Sequence, residues 1–201
     1  MTEIHNYKTI SKPSEGIYKE KGSKFLSFLH QINTEEEAKE ILKKYKKDYF
    51  DARHHCYALI LNNDSSLQKY SDDGEPAHTA GTPILNKLKS YELTNVICVV
   101  VRFFGGTKLG VPGLIEAYKE STEDAIKNTE IITKEITCKI SISTDYESIN
   151  DLMRLCKLYE IEIENQKYEN DKIITELNYT LKNKNSILNS IEKNYKFEVI
   201  S

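Results

Sequence analysis

SDDGEP (Ser71–Pro76), TAGTP (Thr79–Pro83), NVICVVVRFFGG (Asn95–Gly106) and TKLGVPGLIEAY (Thr107–Tyr118) follow one another within 48 residues of a 201-residue chain. This stretch holds six of the eight glycines and three of the four prolines, so most of the fixed turns are concentrated here. Val96 to Phe104 is apolar on both of its alternating faces, which predicts a central, doubly covered strand. Arg102 falls on the same face as Val96, Cys98, Val100 and Phe104 and therefore projects from the end of a core strand. A Gly-Gly pair follows, and Pro112 then sits in the first turn of a helix, where a missing N–H does no harm. Leu114, Ala117, Tyr118, Ser121 and Ala125 line its inner face. Polar groups are thereby placed at the mouth of a buried strand, where binding sites are commonly built.

Upstream, residues 16–32 alternate around Gly22-Ser23 and predict a β-hairpin. Thr34 and Glu37 form a capping box for a helix whose apolar face is Ala38, Ile41, Leu42, Tyr45 and Tyr49. Arg53 to Leu61 reads as a strand with His54 and Cys56 on one face and His55 and Tyr57 on the other. Residues 81–91 form a short helix with Ile84, Leu85 and Leu88 inward. The pattern changes at Lys127–Lys134 and restarts as strand 134–144, helix 145–159, a strand at Ile161 and Ile163, strand Ile173–Leu181, helix Asn185–Asn194 and strand Tyr195–Ile200. That βαββαβ order is the split βαβ, ferredoxin-like motif. The expected class is α+β, with one domain over residues 1–131 and a second over 132–201.

Net charge is −3, which gives no support for strong, non-specific nucleic-acid binding by the chain as a whole. No apolar run approaches the ~18–20 residues of a membrane span, and MTEIHNYKTI lacks the layout of a signal peptide. A cytoplasmic location and no membrane partner are the expectations. None of Cys56, Cys98, Cys138 and Cys156 sits in a CxxC pair, so free, buried thiols are expected.

Three groups of residues could carry chemistry. Gly105, Gly106, Lys108 and Gly110 precede a helix and could cradle an anion, although they match neither GxxxxGK[ST] nor GxGxxG. Gly110 to Gly113 is a bare GxxG, and turn glycines with positive φ are the competing reading. Asp72, Asp73 and Glu75 could hold a metal with His78, or could cap a turn and pair with Arg102. Cys56 and His54 share a face, but no acid in the local sequence orients them as a nucleophile and base. No catalytic residue, metal or cofactor is assigned.

HHCYALIL, SDDGEPAHTAGTPIL and VVRFFGGTKLGVPGLIEAY, in this order, resemble the YigZ/IMPACT family, and with the SKF of the hairpin the resemblance covers residues 15–130. It implies an N-terminal domain similar to ribosomal proteins and to elongation factor G domain IV, followed by a ferredoxin-like domain similar to domain V of that factor. It implies a non-enzymatic regulator of translation or stress response that binds RNA, the ribosome or a translation-associated protein. Such a partner would dock on Arg102, Gly105, Gly106, Lys108, Gly110 and Gly113, with His54 and His55 beside them. The alternative is a small-molecule or metal-assisted enzyme built on Asp72, Asp73 and Glu75. The chain departs from the family pattern at Arg53-His54-His55 (usually THN), Ala77-His78 (usually SG), Phe103 (usually Tyr) and Glu116 (usually Arg). The last change sets a carboxylate near the proposed anion site.

Overall fold

A computed structural model of the chain describes residues 4–194 and 196–200. They fall into two compact units, one of Asn6–Lys134 and one that runs from Glu135 onward and includes His5.

The first unit contains β1 (Asn6–Ile10), β2 (Ser14–Glu20), β3 (Ser23–Gln31), α1 (Glu35–Asp48), β4 (His54–Leu61), β5 (Leu67–Ser71), α2 (Gly81–Ser90), β6 (Val96–Phe103) and α3 (Gly110–Lys127). β7 (Ile131–Glu135) follows and pairs with β1. The main sheet is antiparallel, in the order β2-β3-β6-β4-β5. β6 is therefore central, and its residues are buried from Val96 to Arg102. One face carries Phe25, Leu29, Cys56, Ala58, Cys98 and Val100 against Ile84 and Leu88 of α2 and Leu114, Ala117, Tyr118 and Ala125 of α3. The other carries Phe28, Leu59, Leu61, Ile97, Val99 and Val101 against Ala38 and Tyr45 of α1. The double covering is why β6 reads as one unbroken apolar run.

Local signals explain the helix starts. Thr34 Oγ1 accepts from Glu37 N at 3.2 Å, and Glu37 reaches back to Asn33 N at 2.7 Å, one residue before the cap. α3 is tied to the sheet by Ser14 Oγ, which donates to Ala125 O at 2.7 Å, and by Ser27 Oγ, which donates to Ser121 O. These bonds hold the second half of α3 against β2 and β3.

β1, β5 and β7 are strands that the sequence pattern does not predict. β5 reads LQKYS and has no apolar alternation, because it is an edge strand with only its two ends half-buried. β7 lies where the sequence pattern changes, and its five residues alternate between exposed and half-buried.

The second unit runs β8 (Thr137–Asp145), α4 (Ile149–Leu158), β9 (Glu162–Glu169), β10 (Lys172–Thr180), α5 (Lys184–Glu192) and β11 (Glu198–Val199). Its sheet order is β11-β8-β10-β9, antiparallel throughout. Ile140, Ile142, Leu177 and Tyr179 pack on Leu152, Cys156, Ile187 and Ile191 of the two helices. Tyr195, the expected first residue of the last strand, lies outside the described residues. The whole is a mixed α/β chain with antiparallel sheets, and among the described residues no helix is long and apolar enough to cross a membrane.

Candidate functional site

The end of β6, the start of β4, the 72–76 turn and the start of α3 enclose a cleft of about 440 Å³. Arg53, His54, Glu75, Pro76, Arg102, Phe104, Lys108, Leu109, Gly110, Val111 and Leu114 line it.

Glu75 is the hub of its floor. Its Oε1 accepts from Arg102 Nη1 at 2.6 Å and from the Tyr118 hydroxyl at 2.9 Å. The carboxylate and the guanidinium are 3% and 7% exposed, so this is a buried ion pair rather than a surface one. Arg102 also lies over the rings of Phe25 and Phe104, at 5.4 and 5.6 Å from their centres. Its Nε is buried and has no hydrogen-bond partner among the described residues. Cys56 Sγ sits 3.0 Å from the Asp72 carbonyl oxygen and 3.3 Å from the Tyr118 hydroxyl. Burial pushes the Cys56 thiol up from its ordinary value, and burial followed by the neighbouring Cys56 and Glu75 does the same to Tyr118. Both groups therefore keep their protons at neutral pH, and neither is an activated nucleophile.

The 72–76 turn is held from within. Asp72 Oδ1 accepts from Ala80 N and Gly81 N at 3.0 and 2.8 Å, and its Oδ2 accepts from His78 N at 2.9 Å. It thus caps α2 from outside the helix, since Ala80 at the cap position has no side chain that can do so. Asp73 Oδ2 accepts from His55 N at 2.7 Å, and the Asp73 carbonyl accepts from His54 Nδ1 at 2.8 Å. That bond puts the proton on Nδ1 and leaves Nε2 facing Glu75 Oε1 at 4.0 Å.

The structure brings His54, Glu75, Arg102, Lys108 and Gly110 together and separates them from the other candidates. Arg102, one of the expected docking residues, is 6% exposed and pairs with Glu75, as the turn-and-pair reading of the acid cluster expected. His55 does not reach the cleft, because the strand turns it to the α1 face, where its Nε2 donates to Tyr49 O at 3.1 Å. Burial lowers the pKa of that ring. Gly105 is a packing residue, since a Cβ there would lie 1.9 Å from the Gly22 carbonyl carbon. Gly106, at φ +86, is a turn residue, and a methyl group added to it would meet nothing within 4 Å. Gly113 stands one turn into α3, over Leu109. Asp72, Asp73 and Glu75 point to three different partners instead of converging, which corrects the metal-assisted alternative; among the described residues no His, Cys, Asp and Glu cluster is arranged to hold a metal ion.

Three contributors went unread in the sequence. Tyr118 belongs to the core face of α3, as periodicity indicates for its ring, but a buried tyrosine hydroxyl needs a partner, and that requirement was the available signal. Arg53 and Phe104 stand at the ends of strands, where alternation no longer indicates what a side chain faces. At the mouth, Arg53 and Lys108 are exposed and have no ion-pair partner among the described residues. Leu109 gives the first turn of α3 no side-chain cap, which leaves the amides of Gly110 and Val111 at the cleft's edge.

The Impact N-terminal domain family matches residues 21–126, the segment that builds this cleft. "IMPACT family member YvyE" of Bacillus subtilis (strain 168) is 33% identical over 177 residues, covering 88% of this chain and 76% of the relative. An "IMPACT family member" of Haemophilus influenzae is 36% identical over 151 residues, covering 74% and 73%. A crystal structure of a hypothetical protein superposes with a TM-score of 0.75 at 24% identity, covering 99% of this chain and 98% of the other, and so shares the fold. With the domain match spanning all of the cleft's elements and bacterial relatives matching along most of their own length, the chain belongs to the IMPACT family.

Proposed function

We propose that this chain is a non-enzymatic regulator of translation that docks an anionic surface, of RNA, the ribosome or a translation-associated protein, at the mouth of the cleft. The observation that carries the reading is the division of charge there. The inner arginine is neutralised by Glu75, whereas Arg53 and Lys108 stand exposed and unpaired among the described residues beside an uncapped helix start. The buried thiol, hydroxyl and carboxylate of the cleft hold one another, so none of the three is an activated nucleophile, which favours docking over a reaction. Family membership supports the translational role, because eukaryotic proteins of this family are linked to translational control; "Protein IMPACT homolog" of Saccharomyces cerevisiae is 33% identical over 94 residues.

The same reading assigns residues 1–131 to a domain similar to elongation factor G domain IV and residues 132–201 to a ferredoxin-like domain. The β11-β8-β10-β9 strand order supports the second assignment. A cytoplasmic location goes with it.

Cosedimentation with ribosomes at low and at physiological ionic strength tests the function. Binding that weakens with salt and falls further in Lys108→Glu is expected. Binding indifferent to both would refute it.

A further inference from the structure

We propose that the cleft takes one nucleotide of a single-stranded RNA, with its base stacked on Phe104 and its phosphate at the start of α3 beside Lys108. This rests on the docking reading above and names what is docked.

Phe104 is a large aromatic left 50% exposed at the end of a buried strand. The Arg102 guanidinium lies over its ring. Val111, 52% exposed, and the half-buried Leu109 line the same cleft. These side chains form an apolar slot, and slots walled by an aromatic ring accept any base because every base has a π face. The polar end of the cleft has the opposite chemistry. Lys108 and the uncapped amides of Gly110 and Val111 favour an anion. Arg102 lines the same cleft, but its guanidinium is paired with Glu75 and its Nε is sealed from solvent, so Lys108 and the two amides make up the anion corner. A flat apolar slot directly beside an anion corner matches base and phosphate in one ligand. An acidic peptide would use the cations and leave Phe104 and Val111 in water. The volume of about 440 Å³ falls in the range of small-molecule sites.

The chain has no tryptophan, so Phe104→Trp installs a single stacking reporter at the site. It is titrated with a single-stranded oligouridylate, uridine monophosphate, inorganic phosphate and polyglutamate. Phe50→Trp, at a position 83% exposed after α1, serves as the control. The expected result is quenching of the Phe104→Trp fluorescence by the oligonucleotide, none of the control, and roughly tenfold weaker binding in the Lys108→Glu background. Phe104→Ala, followed by anisotropy of a labelled oligonucleotide, should also bind roughly tenfold more weakly. Mononucleotide quenching as strong as that of the strand overturns the single-strand assignment and identifies a free nucleotide as the source of the same chemistry. Quenching of both reporters alike, or binding of phosphate or polyglutamate without any quenching by the oligonucleotide, overturns the proposal. If wild-type protein still cosediments with ribosomes while the Phe104→Trp reporter is silent, this inference fails alone. If cosedimentation is also absent, the docking reading has failed first.

Discussion

Replacing Glu75 with glutamine leaves the Arg102 guanidinium buried without a counter-charge. The side chains are 3% and 7% exposed, the Nη1–Oε1 distance is 2.6 Å, and the Arg102 Nε is already without a partner, so little else is present to compensate. Breaking a buried pair from one side costs ~3–5 kcal/mol, whereas replacing both partners with apolar residues of similar volume is close to neutral. Glu75→Gln should therefore lose about 3–5 kcal/mol, equivalent to roughly 10–15 °C in Tm for a unit of this size. Glu75→Gln combined with Arg102→Met removes the uncompensated charge and should recover part of that loss, the buried amide keeping the Tyr118 hydroxyl as its partner. Urea unfolding of wild type, both single variants and the double variant, followed by circular dichroism, gives the coupling energy directly. A single-variant loss below about 1 kcal/mol, or additive losses in the double variant, would refute the description of this pair as buried and mutually dependent.

Two adjacent glycines should behave differently. Gly105→Ala would drive a methyl group to 1.9 Å from Gly22 C and 2.2 Å from Ser23 N, so it should unfold the hairpin contact or lower Tm sharply; Gly106→Ala meets open space and should cost only the ~1–2 kcal/mol of a left-handed backbone. Asp72→Ala removes the acceptor of three backbone amides and should cost about 1–2 kcal/mol, measured by urea midpoint. Glu123 has its pKa lowered from 4.5 to about 2 by hydrogen bonds from Lys87, Lys127 and Tyr91. A depressed carboxyl stabilises the folded state fully above its unfolded value and loses that contribution as the pH falls toward its folded value. Wild type should accordingly be more stable than Glu123→Gln at pH 7, with the gap closing between about pH 4.5 and 2 when urea midpoints are compared.

The strands and helices that bury one or two continuous apolar faces were legible in the sequence. β6, α3 and the capping box of α1 follow from periodicity and end signals, because burial imposes that period. β5 and β7 do not, since each is largely solvated and its residues answer to backbone pairing that no side-chain pattern records. In the site, strand alternation already placed His54 and His55 on opposite faces, so collecting both into one surface ran against the sequence's own geometry. Alternation and turn chemistry allow Arg102 to pair with a carboxylate of the 72–75 cluster, but only the folded turn shows that Glu75 takes it while Asp72 and Asp73 bind amides. Tyr118 stands 43 residues from Glu75, a separation over which linear sequence carries no sign of contact.

The double covering of β6 leaves its alignment weakly determined by hydrophobicity, because a slide of one residue would exchange one apolar face for the other at little loss. Arg102 breaks that degeneracy. In the slipped alignment its guanidinium would enter the layer of Phe28, Tyr45 and Val99 and leave Glu75 behind, while Glu75 and Tyr118 would confront an aliphatic side chain. The ion pair thus acts as an alignment pin for the middle strand, and a chain relieved of it by apolar replacement keeps its stability while losing the feature that makes one threading of the sheet better than its neighbour.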